Sequence, residues 1–230
     1  MIIEPIATIT TPFGEKFAIP RQAQIVTEAW GTLRFSQPYR HKDSLDGLEA
    51  HSHYWLIWGF HRHQDKEKSL TVRPPRLGGN RRVGVFSTRS PFRPNNLALS
   101  VVKLEHIDRE QFCVTFSGVD MLSGSPVYDI KPYAPYADRR IEAASDWADC
   151  PPEPVFSVKL LPEVGGTLRD YEKTHGVRLI ALIKALLVYD ARPAYKKGED
   201  NKCYATRLYD MDIAWRIKGD TVTVISAKQS

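Results

Sequence analysis

Residues 97–116 read LALSVVKLEHIDREQFCVTF, and the placement of apolar and β-branched side chains along them decides the fold class. Residues 97–104 are a run of strand formers. After a short charged stretch, Phe112, Val114 and Phe116 alternate with less apolar neighbours, the period-2 pattern of a half-buried strand. Two strands follow each other with no helix between them. The same holds upstream, where residues 2–10, 32–35, 54–60 and 83–87 read as further short strands. Because no helix alternates with these strands, an antiparallel sheet or barrel is expected, not a doubly wound fold.

Downstream, residues 138–154 turn small, polar and acidic, ending in Cys150-Pro151-Pro152-Glu153-Pro154. A domain boundary is expected there, with a first domain over 1–140, a linker over 141–154 and a second domain over 155–230. Beyond it, Leu179, Ile180, Ile183, Leu186 and Leu187 are spaced for one face of a helix over 177–189. A shorter helix is expected over 167–173. Residues 204–208, 212–217 and 221–225 read as strands, the last two joined by the turn Lys218-Gly219-Asp220. The fold class is therefore mainly β, with a small α+β unit at the C-terminal end.

The 230 residues suffice for a proper core, and the composition, 42% hydrophobic and 26% charged, is that of an ordinary folded chain. Three distant cysteines, Cys113, Cys150 and Cys203, form no Cys-x-x-Cys and cannot all pair within one chain. They point to a reducing compartment. With no apolar run of membrane-spanning length and no leader-like start, a cytoplasmic address and no membrane partner are expected.

The net charge of +5 is concentrated. Residues 69–98 hold Arg73, Arg76, Arg81, Arg82, Arg89 and Arg93 and no Asp, Glu or Lys. That window carries +6, so the remaining 200 residues together carry −1. Guanidinium is permanently charged and planar, and grips phosphate or carboxylate in bidentate fashion. Pro74, Pro75, Gly78, Gly79, Pro91 and Pro94 make the run a conformationally restricted loop region. The functional reading is an anion-binding surface and the plain one a solvated loop; the lack of acids favours the former.

Other motifs are less specific. His51/His53 and His61/His63 are His-x-His pairs, but a strand over 54–60 would hold them roughly 30 Å apart, too far to share an ion. No metal site is expected. Asp129, near Lys131 and Tyr133, suits a base or orienting group, or a structural ion pair; spacing alone does not choose. Gly-x-Ser-x-Gly, Gly-x-x-x-x-Gly-Lys and Gly-x-Gly-x-x-Gly are all missing. Arg192, Tyr195 and Lys196, on one short Gly-ended segment, suit a phosphate and an unpaired base.

Long strings carry a specific resemblance: Glu15-Lys16-Phe17-Ala18-Ile19-Pro20-Arg21-Gln22, Thr71-Val72-Arg73-Pro74-Pro75-Arg76-Leu77-Gly78-Gly79-Asn80, Gly84-Val85-Phe86-Ser87-Thr88-Arg89-Ser90, Phe92-Arg93-Pro94-Asn95, Asp129-Ile130-Lys131-Pro132-Tyr133 and Arg192-Pro193-Ala194-Tyr195. In these the chain resembles the TsaA-like (TrmO) tRNA N6-methyltransferases over nearly its whole length. The resemblance implies an antiparallel β-barrel that binds S-adenosylmethionine without a Rossmann fold, and a homodimer. It implies methylation of N6 of threonylcarbamoyl-adenosine, 3′ of the anticodon, in a threonine tRNA.

By motif position, the resemblance puts cofactor contacts at Pro20, Arg21, Gln22, His61, Arg62, Arg89, Leu99, Leu122, Ser123, Gly124 and Ser125. Arg73, Arg76, Arg93, Lys131, Tyr133, Arg192, Tyr195 and Lys196 are then the expected tRNA contacts, and Asp129 the catalytic group. Two departures fall in loops. The family's Arg-Pro-Asn-Pro-x-Gly reads Arg93-Pro94-Asn95-Asn96-Leu97-Ala98, and its Asp-Pro-Arg-Pro reads Asp190-Ala191-Arg192-Pro193. A non-catalytic RNA-binding module and a metal-dependent hydrolase are the competing function classes.

Overall fold

A computed structural model describes residues 2–63, 68–190 and 202–230. Its N-terminal strands are β1 (Ala7–Thr10), β2 (Trp30–Phe35), β3 (His53–Gly59), β4 (Thr71–Val72), β5 (Val83–Gly84), β6 (Leu97–Asp108), β7 (Cys113–Ser117) and β8 (Ser125–Pro132). Six of them close into an antiparallel barrel in the order β1-β2-β7-β6-β3-β8; β4 and β5 form a separate two-stranded ribbon. Burial alternates along β1, β2 and β3, so one side of each strand fills the interior and the other faces outward. Ile9, Leu33, Leu56, Val102, Phe116 and Val127 are fully enclosed there. The barrel and its non-Rossmann character agree with the sequence expectation.

The short helix α1 (Pro135–Asp138) ends the barrel half. The C-terminal half contains β9 (Ser157–Leu160), α2 (Pro162–His175), α3 (Leu179–Leu187), β10 (Cys203–Leu208), β11 (Met211–Lys218) and β12 (Thr221–Gln229). Its four-stranded sheet runs β10-β11-β12-β9, with β9 parallel to β12. Leu179, Leu182, Ile183, Leu186 and Leu187 of α3 are buried, at the spacing that marks one helix face.

Several boundaries differ from those read off the sequence. The first strand starts at Ala7, not residue 2. The stretch 83–87 is a strand only at Val83 and Gly84; a 3-10 turn follows at Val85–Ser87, closed by Thr88 N–H and Oγ1, which both donate to the Val85 carbonyl (3.1 and 2.7 Å). The helix expected over 167–173 is twice as long. Pro162 starts it, where no amide partner is needed, and Gly176 ends it at φ 65°. The sequence reading missed the strands β4, β8 and β9.

The two halves are sewn together at the segment leading out of β1. Phe13 bridges to Leu208, Tyr209 N–H donates to the Pro12 carbonyl (2.7 Å), and Arg207 N–H donates to Glu15 Oε1 (2.9 Å). The Phe17 ring stacks on Trp215 of β11 at 6.0 Å. The C-terminal sheet thus fixes residues 12–17, which run directly into Pro20-Arg21-Gln22.

Candidate functional site

A groove of about 2020 Å³ opens between the barrel rim, the arginine-rich loops and the segment joining the halves. Three loops converge on it from the barrel end. The first, residues 18–24, is held by Gln24, whose N–H donates to the Gly118 carbonyl (2.9 Å) and whose side-chain amide donates to the Ser117 carbonyl (3.0 Å). Gly118 permits this: its φ is +72°, and a Cβ there would lie 2.4 Å from the Gln24 amide nitrogen. The second is the turn before β8. Ser123 N–H and Gly124 N–H donate to the Phe13 and Ile9 carbonyls, and Ser125 Oγ donates to the Leu122 carbonyl (2.7 Å). The third is the arginine run, tied to the first by Arg89, whose guanidinium donates to Gln22 Oε1.

Asp120 sits where these loops meet. Ser100 Oγ donates to its Oδ1 at 2.6 Å, and Trp58 Nε1 donates to Ser100 Oγ at 3.0 Å. Trp58 and Ser100 are buried on the inner face of the barrel, so the chain of donors reaches from the core to the groove wall. Burial raises the Asp120 pKa from 3.8 to about 6, against the lowering effects of Ser100, the Ala23 and Asp120 amides, and the charge of Arg89. His61, also lining the groove, has its ring nitrogen 3.3 Å from Ser125 Oγ. Its pKa is depressed by burial and by the charges of Arg62 and Lys16, all of which favour the neutral imidazole.

The arginines do two jobs. Arg93 donates to the Thr88 (2.7 Å) and Val85 (3.3 Å) carbonyls, Arg76 to the Cys150 carbonyl (2.9 Å), Arg82 to Thr71 Oγ1 (3.3 Å) and Arg89 to Gln22. Every acceptor is neutral. The guanidiniums therefore order the loops and keep their full charge. Among the described residues, Arg73 and Arg81 make no hydrogen bond or ion pair. Eight Lys and Arg side chains line the groove against three carboxylates, Asp120, Glu153 and Asp190, so its field is positive.

Most of the residues singled out in the sequence meet here. Pro20, Arg21, Gln22, His61, Arg62, Arg89, Leu99, Leu122 and Ser125 line the groove, as do Arg73, Arg76 and Arg93. Ser123 and Gly124 do not; their amides tie the turn to Phe13 and Ile9. Lys131 and Tyr133 also lie off the lining, Tyr133 packing on Trp55 with ring centroids 5.9 Å apart. Arg192, Tyr195 and Lys196 lie outside the described residues.

Asp129 is likewise not a lining residue. It pairs with Ile57, which pairs on its other side with Leu99, so all three share the outer face of the barrel. Its Oδ1 accepts from Ile130 N–H (2.9 Å) and its Oδ2 lies 3.5 Å from Lys131 Nζ, both side chains about half exposed. The carboxylate that the barrel half contributes to the groove lining is Asp120, nine residues earlier. The sequence offered one signal for it, its position just before the Leu122–Ser125 turn.

Asn96 adopts φ 51° at the start of β6, and its carbonyl accepts from Phe60 N–H (2.9 Å). A proline, fixed near φ −65°, cannot take this conformation. The backbone before β6 is therefore specific to the Asn-bearing sequence. Among the described residues no three His, Cys, Asp or Glu side chains converge.

Residues 8–139 match the family model of the tRNA-methyltransferase O N-terminal domain, and residues 153–230 that of the TrmO C-terminal domain. The chain is 41% identical over 217 residues to the tRNA (adenine(37)-N6)-methyltransferase of Escherichia coli (strain K12), covering 93% of this chain and 92% of that protein. It is 44% identical, over 93% of its length and 91% of the relative's, to a Pseudomonas aeruginosa protein, RcsF, whose name assigns it provisionally to the S-adenosylmethionine-dependent methyltransferases. The crystal structure of TrmO from Pseudomonas aeruginosa superposes with a TM-score of 0.84 at 34% identity, covering 99% of this chain and 98% of that one.

Proposed function

Because the chain belongs to the tRNA-methyltransferase O family, we propose that it transfers a methyl group from S-adenosylmethionine to N6 of adenosine 37 in tRNA. The finer substrate proposed is the threonylcarbamoylated adenosine of a threonine tRNA. One observation carries the reading: a positively charged groove in which one carboxylate, Asp120, is held by Ser100 and the Ala23 amide within the field of Arg89.

The groove fits the methyl donor chemically. Trp58, Phe60 and Leu122 offer an apolar floor for its ring and thioether parts, and Gln22, His61 and Ser125 offer neutral hydrogen-bonding groups. Asp120 offers negative charge to a ligand that carries positive charge. Bound there, S-adenosylmethionine supplies an electrophilic methyl. The remaining work belongs to the protein: aligning N6, excluding water and removing a proton.

In threonylcarbamoyl-adenosine, N6 is a urea-like nitrogen and a poor nucleophile until its proton departs. Asp120 is proposed as the acceptor of that proton, since a carboxylate with pKa about 6 is mostly ionised at pH 7 yet basic enough to take it. Asp129, paired with Lys131 outside the groove lining, is left an orienting role at the rim. Arg73 and Arg62, which line the groove, are proposed to meet the threonyl carboxylate, and Arg81, outside the lining, a nearby phosphate. Arg192, Tyr195 and Lys196 are proposed as a second tRNA contact.

The reading carries a homodimer with it. Ile57 and half-exposed Leu99 form an apolar strip on the outer barrel face that also reaches the groove, so a second copy seated there would extend the groove wall. A cytoplasmic address accords with a tRNA substrate; no helix among the described residues is long and apolar enough to cross a membrane. Calorimetry with S-adenosylmethionine, followed by nucleoside analysis of tRNA after a single turnover, tests the function. Saturable binding and one new methyl at adenosine 37 are expected; RNA binding without donor binding would leave only a non-catalytic module.

A further inference from the structure

Phe86 is 72% exposed. It sits in the middle of the Val85–Ser87 turn, whose first residue is buried and whose carbonyl accepts from Thr88 and Arg93. The ring is therefore presented by a fixed backbone. Arg93 lies across one face, its Cζ 5.7 Å from the ring centroid. That guanidinium is itself pinned by its bond to the Thr88 carbonyl, so ring and cation form a pre-assembled stack. Leu70, 82% exposed, adjoins it through the bond from Val85 N–H to the Leu70 carbonyl.

Burying a phenylalanine side chain stabilises a fold, a gain forgone here. A partner that covers this ring must also tolerate a window of six arginines without one acid. An acidic or apolar protein surface supplies one property without the other. Single-stranded RNA supplies both at every nucleotide: a flat base for the ring and a phosphate for the guanidiniums. Arg93 backs Phe86 and also lines the groove. A base on the platform is thus a near neighbour of the base that enters the groove.

We infer that the open face of Phe86, backed by Arg93, is a stacking platform for an unpaired base flanking the methylated adenosine. This rests on the tRNA reading above and adds to it a specific subsite. The platform selects for a splayed loop, because a base still inside a duplex has no free face to offer.

The test is tRNA affinity at fixed salt for Phe86→Ala, Phe86→Leu and Phe86→Trp, together with the fluorescence of 2-aminopurine placed beside the target adenosine in a stem-loop RNA. Phe86→Ala and Phe86→Leu should each bind about tenfold more weakly, Phe86→Trp should bind as the parent does, and 2-aminopurine quenching should vanish in the first two only. Donor binding by calorimetry and sedimentation should be unchanged in all three. Unchanged RNA affinity in Phe86→Ala, or full rescue by Phe86→Leu, would overturn the platform. So would a change in oligomeric state, which would assign the ring to a contact between copies. Because the readout is binding, an absent methyl transfer with an intact Phe86 effect refutes the enzymatic reading and not the platform.

Discussion

Replacing Asp120 by Asn separates a chemical role from a structural one, because the two predict opposite changes in stability. Burial raises the carboxyl pKa from 3.8 to about 6, a little over two units. In the pH range between those values the folded chain holds a proton that the unfolded chain has released. Stability therefore falls as pH rises through this window, and above it the ionised Asp120 costs about 3 kcal/mol. Below pH 3.8 the cost disappears. Asp120→Asn keeps an oxygen for Ser100 and carries no charge, so its thermal midpoint should exceed the parent's at pH 8, by roughly 2–4 °C for each kcal/mol recovered. The gain should shrink as the pH approaches 4.

Activity should move the other way. A group with pKa about 6 is roughly nine-tenths ionised at pH 7 and one-tenth at pH 5, so parent kcat/KM should fall about tenfold between them. Asp120→Asn should lose about 10²–10⁴-fold at pH 7 and lose that pH dependence as well. The assays are labelled methyl transfer to tRNA across pH and thermal unfolding of both proteins at matched pH. A variant less stable than the parent at pH 8 would identify Asp120 as a prop for the 18–24 loop. A variant with parental kcat/KM and pH profile would remove it from the reaction.

Three further outcomes are expected. Because the groove arginines bond only neutral acceptors, tRNA affinity should fall steeply with salt. Three neutralised phosphates would give a log-log slope of about −2, and a flat curve up to physiological salt would contradict the charged groove. Changing Arg192 or Tyr195 to Ala should weaken tRNA binding while leaving calorimetric donor affinity intact, and equal loss of both would refute that division between the halves. Leu99→Arg should weaken self-association by roughly tenfold or more in sedimentation, and an unchanged oligomer would exclude the outer barrel strip as its contact.

How far the sequence could be read depends on what each element rests on. The barrel was legible because strands such as 54–60 and 112–116 carry their burial pattern in their own residues, and α3 because five apolar residues mark one face. β8 was not, since Pro126, Asp129 and Pro132 look like turn residues when read alone. They form a strand because β1 and β3 flank them in the closed barrel, with a bulge between Ile57 and Trp58 accommodating the register. α2 was read short because Gly165 and Gly166 disfavour a helix locally, whereas the packing of Val164, Leu168 and Tyr171 overrides that preference.

The site shows the same division. The sign of the field over residues 69–98 is a property of composition and was plain. Which guanidiniums stay uncommitted depends on carbonyls brought in from elsewhere, such as Cys150 for Arg76, and could not be foreseen. Asp129 stood out in the sequence by its neighbours Lys131 and Tyr133, and Asp120 had no such neighbours to mark it. The fold distinguishes them, by the meeting of Ser100, Ala23 and Arg89 around Asp120 and by the position of Asp129 outside the groove lining.

The most direct measurement is methyl transfer from S-adenosylmethionine to two preparations of one threonine tRNA, identical except for the threonylcarbamoyl group on adenosine 37. Methylation of N6 in the modified tRNA alone is the expected result. Methyl incorporation that is equal in both preparations, or absent from both, would contradict the proposed function.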